Sequence, residues 1–145
     1  MTDLTVRDAT ASDIPAIKAV ADLCFTDPWS EGAFASKLGQ SVFYVATVGE
    51  SVVGFAIISV SGDEAELYDI AVLAEYRGTR VSCELFEKVF AQTVESGAKT
   101  LYLEVRTSNE RAVGFYRKHG FCEIGVRKNY YKNPTENAIL MCRST

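Results

Sequence analysis

The sequence predicts a single-domain protein of the mixed α/β (α+β) class, and three observations support this prediction. First, its 145 residues are about the length that one hydrophobic core organises. Second, 48% of the residues are apolar and 23% are charged, as in ordinary globular proteins. Third, segments with the period of a strand alternate with segments with the period of a helix, and neither a linker nor an internal repeat separates them.

The first half of the chain is predicted to contain one strand, two helices and three further strands. The strand LTVRDA precedes a helix that has Ser12 as its N-cap and Pro15 in its first turn. The stretch FTDPWSEG ends this helix, and Ser30 caps a second, shorter helix. The strands VFYVATV, VVGFAIISV and AELYDIAVL then follow one another through turn dipeptides, which is the spacing of an antiparallel meander. The apolar stripe of the first helix comprises Ile14, Ile17, Val20, Ala21, Leu23 and Cys24.

The second half is predicted to contain two helices and three strands. A long helix starts near Val81 and ends at Gly97, the expected C-cap. The strand TLYLEV, a short helix that ends at Gly120, and the strands FCEIGVRK and ENAILMCR complete the chain. The order β-α-α-β-β-β-α-β-α-β-β describes a mixed sheet with helices on its faces. The apolar face of the long helix comprises Val81, Leu85, Phe86, Val89, Phe90 and Val94.

Composition disfavours several classes of function. The 15 basic and 19 acidic side chains give a net charge of −4, whereas a nucleic-acid binder usually has a basic surplus. With His119 as the only histidine and four cysteines without a C-x-x-C pair, we expect no metal site. The polar start and the lack of an 18-residue apolar stretch predict neither a secretory leader nor a membrane span. We therefore expect a cytoplasmic protein with free thiols, no membrane association and no nucleic-acid partner.

The segment DIAVLAEYRGTRVS is a candidate phosphate-binding site. It predicts a strand, a short loop with Arg77, Gly78 and Arg80, and a helix N-terminus, whose free backbone N–H groups and dipole favour an anion. The segment matches neither the Walker A motif nor the G-x-G-x-x-G fingerprint, which disfavours ATP and dinucleotides. An ordinary strand-to-helix connection with solvated arginines remains the alternative.

Two further candidates carry acid–base chemistry. Strand alternation puts Glu104 on the face opposite Leu103, so Glu104 lies either on a solvated face or in a cleft where burial raises its pKa. Tyr116 lies on an apolar helix face, where a tyrosine is either a packing residue or a catalytic acid. His119 precedes a C-cap glycine and is most simply a helix-end residue; without a G-x-S-x-G motif, a Ser-His-Asp triad is discounted.

Aromatic residues in three positions are candidates for binding. Trp29 in DPWSEGAF and Tyr130 and Tyr131 in RKNYYKN fall in predicted loops, where binding residues are common. They can equally serve to anchor those loops.

Taken together, these segments resemble the GNAT superfamily of acetyl-CoA-dependent N-acetyltransferases, and more narrowly its RimI branch, which acetylates the N-terminal alanine of a ribosomal protein. The resemblance covers nearly the whole chain. It is carried by DPWSEGAFAS, ELYDIAV, LYLEVRTSNERAVGFYRKHGF and RKNYYKNPTENAILM. It implies a GNAT-like fold, with a mostly antiparallel sheet of about seven strands flanked by about four helices.

The resemblance also implies a donor site and a reaction. Acetyl-CoA is the expected co-substrate, with no metal. Direct attack by the amine is expected, with Glu104 as general base and Tyr116 as general acid for the leaving thiolate. The implied cofactor-binding residues are Ile70, Ala71, Val72, Arg77, Gly78, Thr79, Arg80, Val81, Ser82 and Asn109.

On the acceptor side, the resemblance implies a peptide groove shaped by Trp29, Tyr130 and Tyr131. The expected partner is a protein N-terminus or peptide, with a ribosomal protein as the implied acceptor. Two alternatives remain open. The first is a related enzyme that acetylates lysine or a small amine, and the second is a non-catalytic module that binds an acyl-CoA or a partner.

The second alternative is motivated by a departure from the family pattern. The pyrophosphate loop normally reads Q/R-x-x-G-x-G/A, but its two small positions are Arg80 and Ser82 here. A positive φ at Arg80 costs on the order of 1–2 kcal/mol, whereas a helical backbone there makes the change nearly harmless. A smaller departure is Asn137, which stands where an acidic residue is common in the family.

Overall fold

The computed structural model describes residues 3–145, and within them the order of strands and helices is the one that the sequence predicts. Two short 3-10 turns, Ala11–Asp13 and Ala74–Tyr76, are added to it. The strands are β1 (Leu4–Asp8), β2 (Val42–Val48), β3 (Ser51–Ser61), β4 (Glu64–Val72), β5 (Thr100–Arg106), β6 (Cys122–Tyr131) and β7 (Glu136–Ser144). The helices are α1 (Ile14–Cys24), α2 (Glu31–Lys37), α3 (Arg80–Glu95) and α4 (Glu110–Lys118).

All seven strands belong to one sheet, in the order β1-β2-β3-β4-β5-β7-β6. Strands β2, β3 and β4 form the predicted antiparallel meander. The pair β4–β5 is parallel, so the chain needs a crossover between them, and α3 supplies it. The sheet is therefore mixed and mostly antiparallel, which confirms the predicted fold class.

Each face of the sheet has its own apolar core. Helix α3, with Leu85 and Phe86, packs on one face together with Tyr116 of α4. Helices α1 and α2 pack on the other face, where Ile17 and Phe34 lie with residues of β2, β3 and β4. Because this second core includes no residue of β5, β6 or β7 among the described residues, the helices leave that part of the face open.

The helix ends differ from the prediction in three details. Ser12 lies inside a 3-10 turn that follows Thr10, and α1 starts after Asp13, so the predicted N-cap is wrong. The periodicity includes Leu23 and Val94 in apolar stripes, but they are 77% and 50% exposed. Each is the second-last residue of its helix, where the apolar face extends past the packed sheet. The C-cap of α3 is the residue before Gly97, and Gly97 itself has the positive φ of the position that follows a C-cap.

We predict that Asp13→Asn lowers the free energy of unfolding by about 1–2 kcal/mol at pH 7. The buried Asp13 carboxylate accepts two hydrogen bonds from Arg7, at 2.8 and 2.9 Å, and one from the Thr10 N–H at 2.8 Å. These bonds, chiefly those from Arg7, lower the pKa of Asp13 to about 2. The stabilisation is therefore complete above the pKa of an unfolded aspartate, ~3.9, and is lost as the pH falls towards 2.

Urea unfolding of both proteins between pH 2 and pH 7 measures this difference. The matched control is Asp22→Asn, because Asp22 pairs with Lys18 on the exposed face of α1. We expect a change of at most about 0.5 kcal/mol for the control. Equal effects of the two substitutions, or an Asp13 effect that persists unchanged at pH 2, would contradict the prediction.

Candidate active site

The sheet opens between β4 and β5. Their parallel pairing runs from Glu64 opposite Thr100 to Leu67 opposite Leu103 and then ends, although both strands continue. Tyr68, the next residue of β4, is the extra residue of a β-bulge against β3. Bulges bend a strand, and this one bends β4 at the point where β5 leaves it. Beyond the bulge, the edge of β4 that faces β5 has backbone groups that the sheet does not use.

A cavity of about 460 Å³ lies on the α3 and α4 side of this opening. It extends from the end of β4 past the start of α3 and along α4, with the end of α1 at its margin. Nine of the twelve predicted cofactor-binding or catalytic residues line it, and Arg80, Val81 and Glu104 do not. The nine are Ile70, Ala71, Val72, Arg77, Gly78, Thr79, Ser82, Asn109 and Tyr116.

The backbone of the loop before α3 shows whether Arg80 is strained. The residue with positive φ is Gly78, at +74°, whereas Arg80 is the first residue of α3 and has a helical backbone. Thr79 is the N-cap, and its Oγ1 accepts a hydrogen bond from the Val81 N–H at 3.3 Å. Arg80 therefore carries no left-handed strain, and the position where glycine is needed has one.

The arginines of this segment point to different partners. Arg77 donates from Nε to the Val72 carbonyl at 2.9 Å and reaches the Cys24 Sγ at 3.4 Å, so it ties the loop to β4 and α1. Arg80 donates from Nε to Glu84 at 3.0 Å, one turn along α3. Arg77 thus remains at the wall of the cavity, whereas Arg80 lies along its own helix.

Helix α4 contributes Asn109 and Tyr116 to the cavity. Asn109 is the N-cap, and its Oδ1 accepts a hydrogen bond from the Ala112 N–H at 3.2 Å. Tyr116 is 8% exposed, and its ring packs against Phe121 with a centroid distance of 5.6 Å. Burial, reinforced by the nearby Asp69, raises the pKa of Tyr116, so its hydroxyl keeps its proton at neutral pH.

His119 is the C-cap of α4, as the sequence indicates. Its ring lies 4.3 Å from that of Phe115 and 4.8 Å from that of Phe86, measured between centroids. Burial lowers its pKa, so the imidazole is neutral at pH 7. Within residues 3–145 no carboxylate hydrogen-bonds to its ring, although Glu87 is close enough for its charge to act on it; the Cys83 Sγ lies 3.9 Å from Nε2.

A second cavity, of about 450 Å³, lies on the opposite, helix-free part of the sheet, and Glu104 lines it. We call it the acceptor groove; Glu66, Tyr68 and Arg127 also line it. The alternation predicted for β5 is confirmed, because Leu101, Leu103 and Val105 are buried on the other face.

The Glu104 carboxylate is only partly neutralised. Its Oε1 lies 3.7 Å from Arg127, while its Oε2 is buried and has no hydrogen-bond partner within residues 3–145. Burial and the charge of Glu104 raise the pKa of Glu66, which shares the groove. The groove therefore offers negative charge and a free acceptor atom to a cationic ligand.

The sequence predicted that Tyr130 and Tyr131 lie in a loop, and this prediction is wrong. Both residues lie at the end of β6. The register of β6 against β7 shifts between Arg127 and Tyr131, and Asn129 has a φ of +53°. The Asn129 N–H donates to the Asn137 Oδ1 at 2.9 Å, so the asparagine that departs from the family pattern holds this bulge. The bulge sets the direction of both tyrosines.

The β6–β7 hairpin that carries these tyrosines is tied to β5. The Arg106 guanidinium lies 4.5 Å from the Tyr131 ring, bonds the carbonyls of Lys132 and Pro134, and pairs with Glu136 at 3.2 Å. Hydrogen bonds, chiefly from Ser108, lower the pKa of Glu136 to about 2. Burial raises the pKa of Tyr131, which is therefore protonated.

Trp29 lies in the connection between α1 and α2, as predicted. Its ring packs against Phe34 of the core, 5.4 Å between centroids, and lies 6.2 Å from the ring of Tyr68. The Lys37 ammonium lies 4.7 Å from the centre of the Tyr68 ring. Trp29 thus anchors its loop on the core and packs against Tyr68, which lines the acceptor groove.

Sequence reasoning missed the partners of the candidate residues. Arg106, Arg127 and Glu136 become recognisable only when β5, β6 and β7 are neighbours, which no local pattern shows. Asp69 is a different case, because it interrupts an apolar strand in the same way as Glu104 and could have been singled out.

Residues 14–121 match the model of the acetyltransferase (GNAT) family. A ribosomal protein bS18-alanine N-acetyltransferase of Escherichia coli strain K12 is 35% identical over 140 residues, 94% of this chain and 95% of that protein. The crystal structure of the Escherichia coli ribosomal-protein-S18-alanine N-acetyltransferase superposes with a TM-score of 0.89, at 34% identity, and covers 97% of this chain and 93% of that one. A GNAT family acetyltransferase from Elizabethkingia anophelis with acetyl-CoA bound, 19% identical, has the same fold with a TM-score of 0.83 over 100% of both chains.

The chain therefore belongs to the acetyltransferase (GNAT) family and is an N-acetyltransferase. Within that family it is RimI-like, so the resemblance on which the sequence expectations rest is confirmed. Among the described residues, no helix is long and apolar enough to cross a membrane. No group of three or more potential metal ligands occurs among residues 3–145.

Proposed function

We propose that the protein transfers the acetyl group of acetyl-CoA to the N-terminal α-amine of a protein, with the N-terminal alanine of a ribosomal protein as the acceptor. The observation that carries this proposal is the similarity to the Escherichia coli enzyme along 94% of the chain. The opening between β4 and β5 supports it, because residues beside the opening line a cavity suited to an anionic donor on one face of the sheet and a groove suited to a cationic acceptor on the other.

The residues of the first cavity fit acetyl-CoA. The edge of β4 at Ile70, Ala71 and Val72 is not paired with β5, so backbone groups there other than the Val72 carbonyl, which Arg77 engages, can pair with the amides of the pantetheine and bind the thioester carbonyl, where negative charge develops. The start of α3 offers N–H groups to the diphosphate, with Arg77, Gly78, Thr79 and Ser82 at the wall. The Asn109 amide N–H₂ remains available, since its oxygen caps α4.

Two residues carry the proposed chemistry. Glu104, as general base acting through a water molecule, removes a proton from the acceptor amine, and its unpartnered Oε2 supports this role. Tyr116, whose raised pKa keeps it protonated, gives its proton to the departing thiolate. No covalent enzyme intermediate is needed, because the thioester is already activated for direct attack.

The acceptor groove is proposed to hold the first residues of the peptide. We place Tyr130 and Tyr131 at its margin, because burial and the charge of Glu104, which lines it, raise the pKa of both tyrosines. Trp29 contributes indirectly, by packing against Tyr68 of the lining. An α-amine has a pKa of ~8 and a lysine side chain of ~10.4, so a carboxylate base near neutral pH favours the α-amine. We further propose that the chain acts as one domain in the cytoplasm, where ribosomal proteins are made, with no nucleic acid or membrane as direct partner.

The decisive experiment is mass spectrometry of peptides acetylated by the purified protein. We expect acetyl-CoA-dependent acetylation of the α-amine of a peptide that begins with alanine and contains an internal lysine. The matched control is the same peptide with a blocked N-terminus, which is expected to remain unmodified. Acetylation of the lysine alone would favour the related enzyme that acts on side chains, and no transfer to either peptide would reject the proposal.

We predict that Glu104→Gln and Tyr116→Phe each lower kcat by about a hundredfold, the usual contribution of a general base or acid. Acetyl-CoA affinity, measured by calorimetry, should change less than threefold in Glu104→Gln, because this residue faces the other cavity. The matched control is Glu50→Gln, in the exposed turn between β2 and β3, which should leave kcat unchanged. Full turnover in the double variant Glu104→Gln, Tyr116→Phe would remove the mechanism and leave the family unaffected.

We predict that the two arginines before and at the start of α3 differ in their importance for the donor. Arg77→Met should weaken acetyl-CoA binding by about tenfold or more, since it removes a cation at the cavity wall and the bond to the Val72 carbonyl. The matched control is Arg80→Met, which makes the same change of side chain three residues later. It should change the affinity less than threefold, because Arg80 pairs with Glu84. A larger loss at Arg80, by calorimetry, would mean that its guanidinium leaves Glu84 to bind the diphosphate.

A further inference from the structure

Asp69 is a carboxylate that the proposed mechanism does not use. It lies on β4 directly after the bulge residue Tyr68, two positions beyond Leu67, where the pairing with β5 ends. The residue before it, Tyr68, lines the acceptor groove, and the residue after it, Ile70, lines the first cavity, which we call the donor cavity. Asp69 lines neither cavity itself; it is partly buried and lies between these two residues on β4, beyond the point where β4 leaves β5.

Two tyrosines lie close enough to Asp69 for its charge to act on them. Its charge acts on Tyr116 of α4 and on Tyr131 of β6, and raises the pKa of both. Its partner across the β3 ladder is Ile57, which is apolar. Glu104, on β5, acts on the same Tyr131. Within residues 3–145 no hydrogen bond or ion pair engages the Asp69 carboxylate, and burial raises its pKa to about 7.

Glu104 has a cationic partner where Asp69 has none. The Glu104 carboxylate lies 3.7 Å from Arg127. Part of its charge is thus offset before any ligand arrives. An ammonium group that reaches the opening meets Asp69 as the carboxylate without a cation, in surroundings where a charge-assisted hydrogen bond is strong.

We propose that Asp69 is a second proton-accepting residue of the acceptor site, which binds the acceptor ammonium directly and takes the first of the two protons that its nitrogen loses. The inference rests on the proposed function and adds a residue to that same site. It gives the reaction two carboxylates for the two protons.

The protons balance as follows. The acceptor ammonium gives one proton to Asp69, and the free amine forms a C–N bond with the thioester carbonyl carbon. The nitrogen loses its second proton through water to Glu104, the C–S bond breaks, and the thiolate takes the proton of Tyr116. Protonated Asp69 then returns a proton to the Tyr116 phenolate, and Glu104 releases its proton to solvent. The products are the acetylated amine, CoA as the thiol and one proton.

A carboxyl with a pKa of about 7 suits this task better than an ordinary one. General bases work best when their pKa lies near the working pH, and the α-amine itself has a pKa of ~8. A carboxyl near the ordinary value would hold the ammonium but take its proton poorly. Burial of Asp69 without a cation is the structural cause of this match.

The first test compares the pH profiles of kcat/KM for the wild type and Asp69→Asn, with a short peptide that begins with alanine. At pH 7 we expect Asp69→Asn to lower kcat/KM at least tenfold. The rising limb of its pH profile should move about one pH unit higher, towards the pKa of the amine. Asp69→Glu should recover part of the activity, and Asp63→Asn, an exposed carboxyl in the turn before β4, is the matched control. An unchanged limb, or an equal loss at every pH, would overturn the proposal.

The second test needs no turnover, so its failure is distinct from failure of the proposed function. Calorimetry in the presence of CoA compares the peptide with a free N-terminus with the same peptide N-acetylated. Asp69→Asn should weaken binding of the free peptide at least tenfold and leave binding of the acetylated one within twofold. Equal losses for both peptides, or none, would overturn the role of Asp69 even in a fully active enzyme.

Discussion

The separation of β4 from β5 beyond Leu67 and Leu103 is the constraint on which the rest of the molecule depends. A continuous sheet would satisfy its backbone internally and would have no passage between its faces. Here the bulge at Tyr68 bends β4 away, and a free backbone edge runs through the middle of the sheet. Both cavities border this opening, and the candidate residues reach it from β4, β5, β6 and α4.

The second half of β4 has one edge that is not paired with a neighbouring strand, so other contacts must hold it in place. The β3 side supplies one, because the two backbones approach so closely that a Cβ on Gly54 would lie 2.8 Å from the Ala71 carbonyl oxygen. The end of β4 is held by Arg77, which bonds the Val72 carbonyl, and by the Leu73 N–H, which bonds the Val53 carbonyl at 2.9 Å. The second half of β4 is therefore held along its β3 edge and at its end, while the edge that faces β5 remains available to a ligand.

Local pattern predicted most of the fold, and the family resemblance supplied the candidate site residues, but neither indicated the partners of those residues. Alternation was sufficient for β5, since Glu104 had to face away from the buried Leu103. The motif raised the possibility of a strained backbone at Arg80 but could not decide it. The backbone of the structure decides it, because the positive φ falls at Gly78. The bulge that aims Tyr131 depends on Asn137 across the hairpin, and such a long-range contact leaves no signal in either segment.

The uneven distribution of charge along the sequence can be compared with the charged residues that line the two cavities. Residues 1–100 have a net charge of −8 and residues 101–145 of +4, yet each cavity combines side chains from both parts. Arg77 and Lys118 line the donor cavity, while Glu66 and Glu104 line the acceptor groove with Arg127 as a counter-ion. Tyr116, which lines the donor cavity, and Tyr131 keep their protons at neutral pH, and Asp69 on β4 has no cation paired with it within residues 3–145. On the proposed mechanism, these are the groups among which the acceptor ammonium loses its first proton.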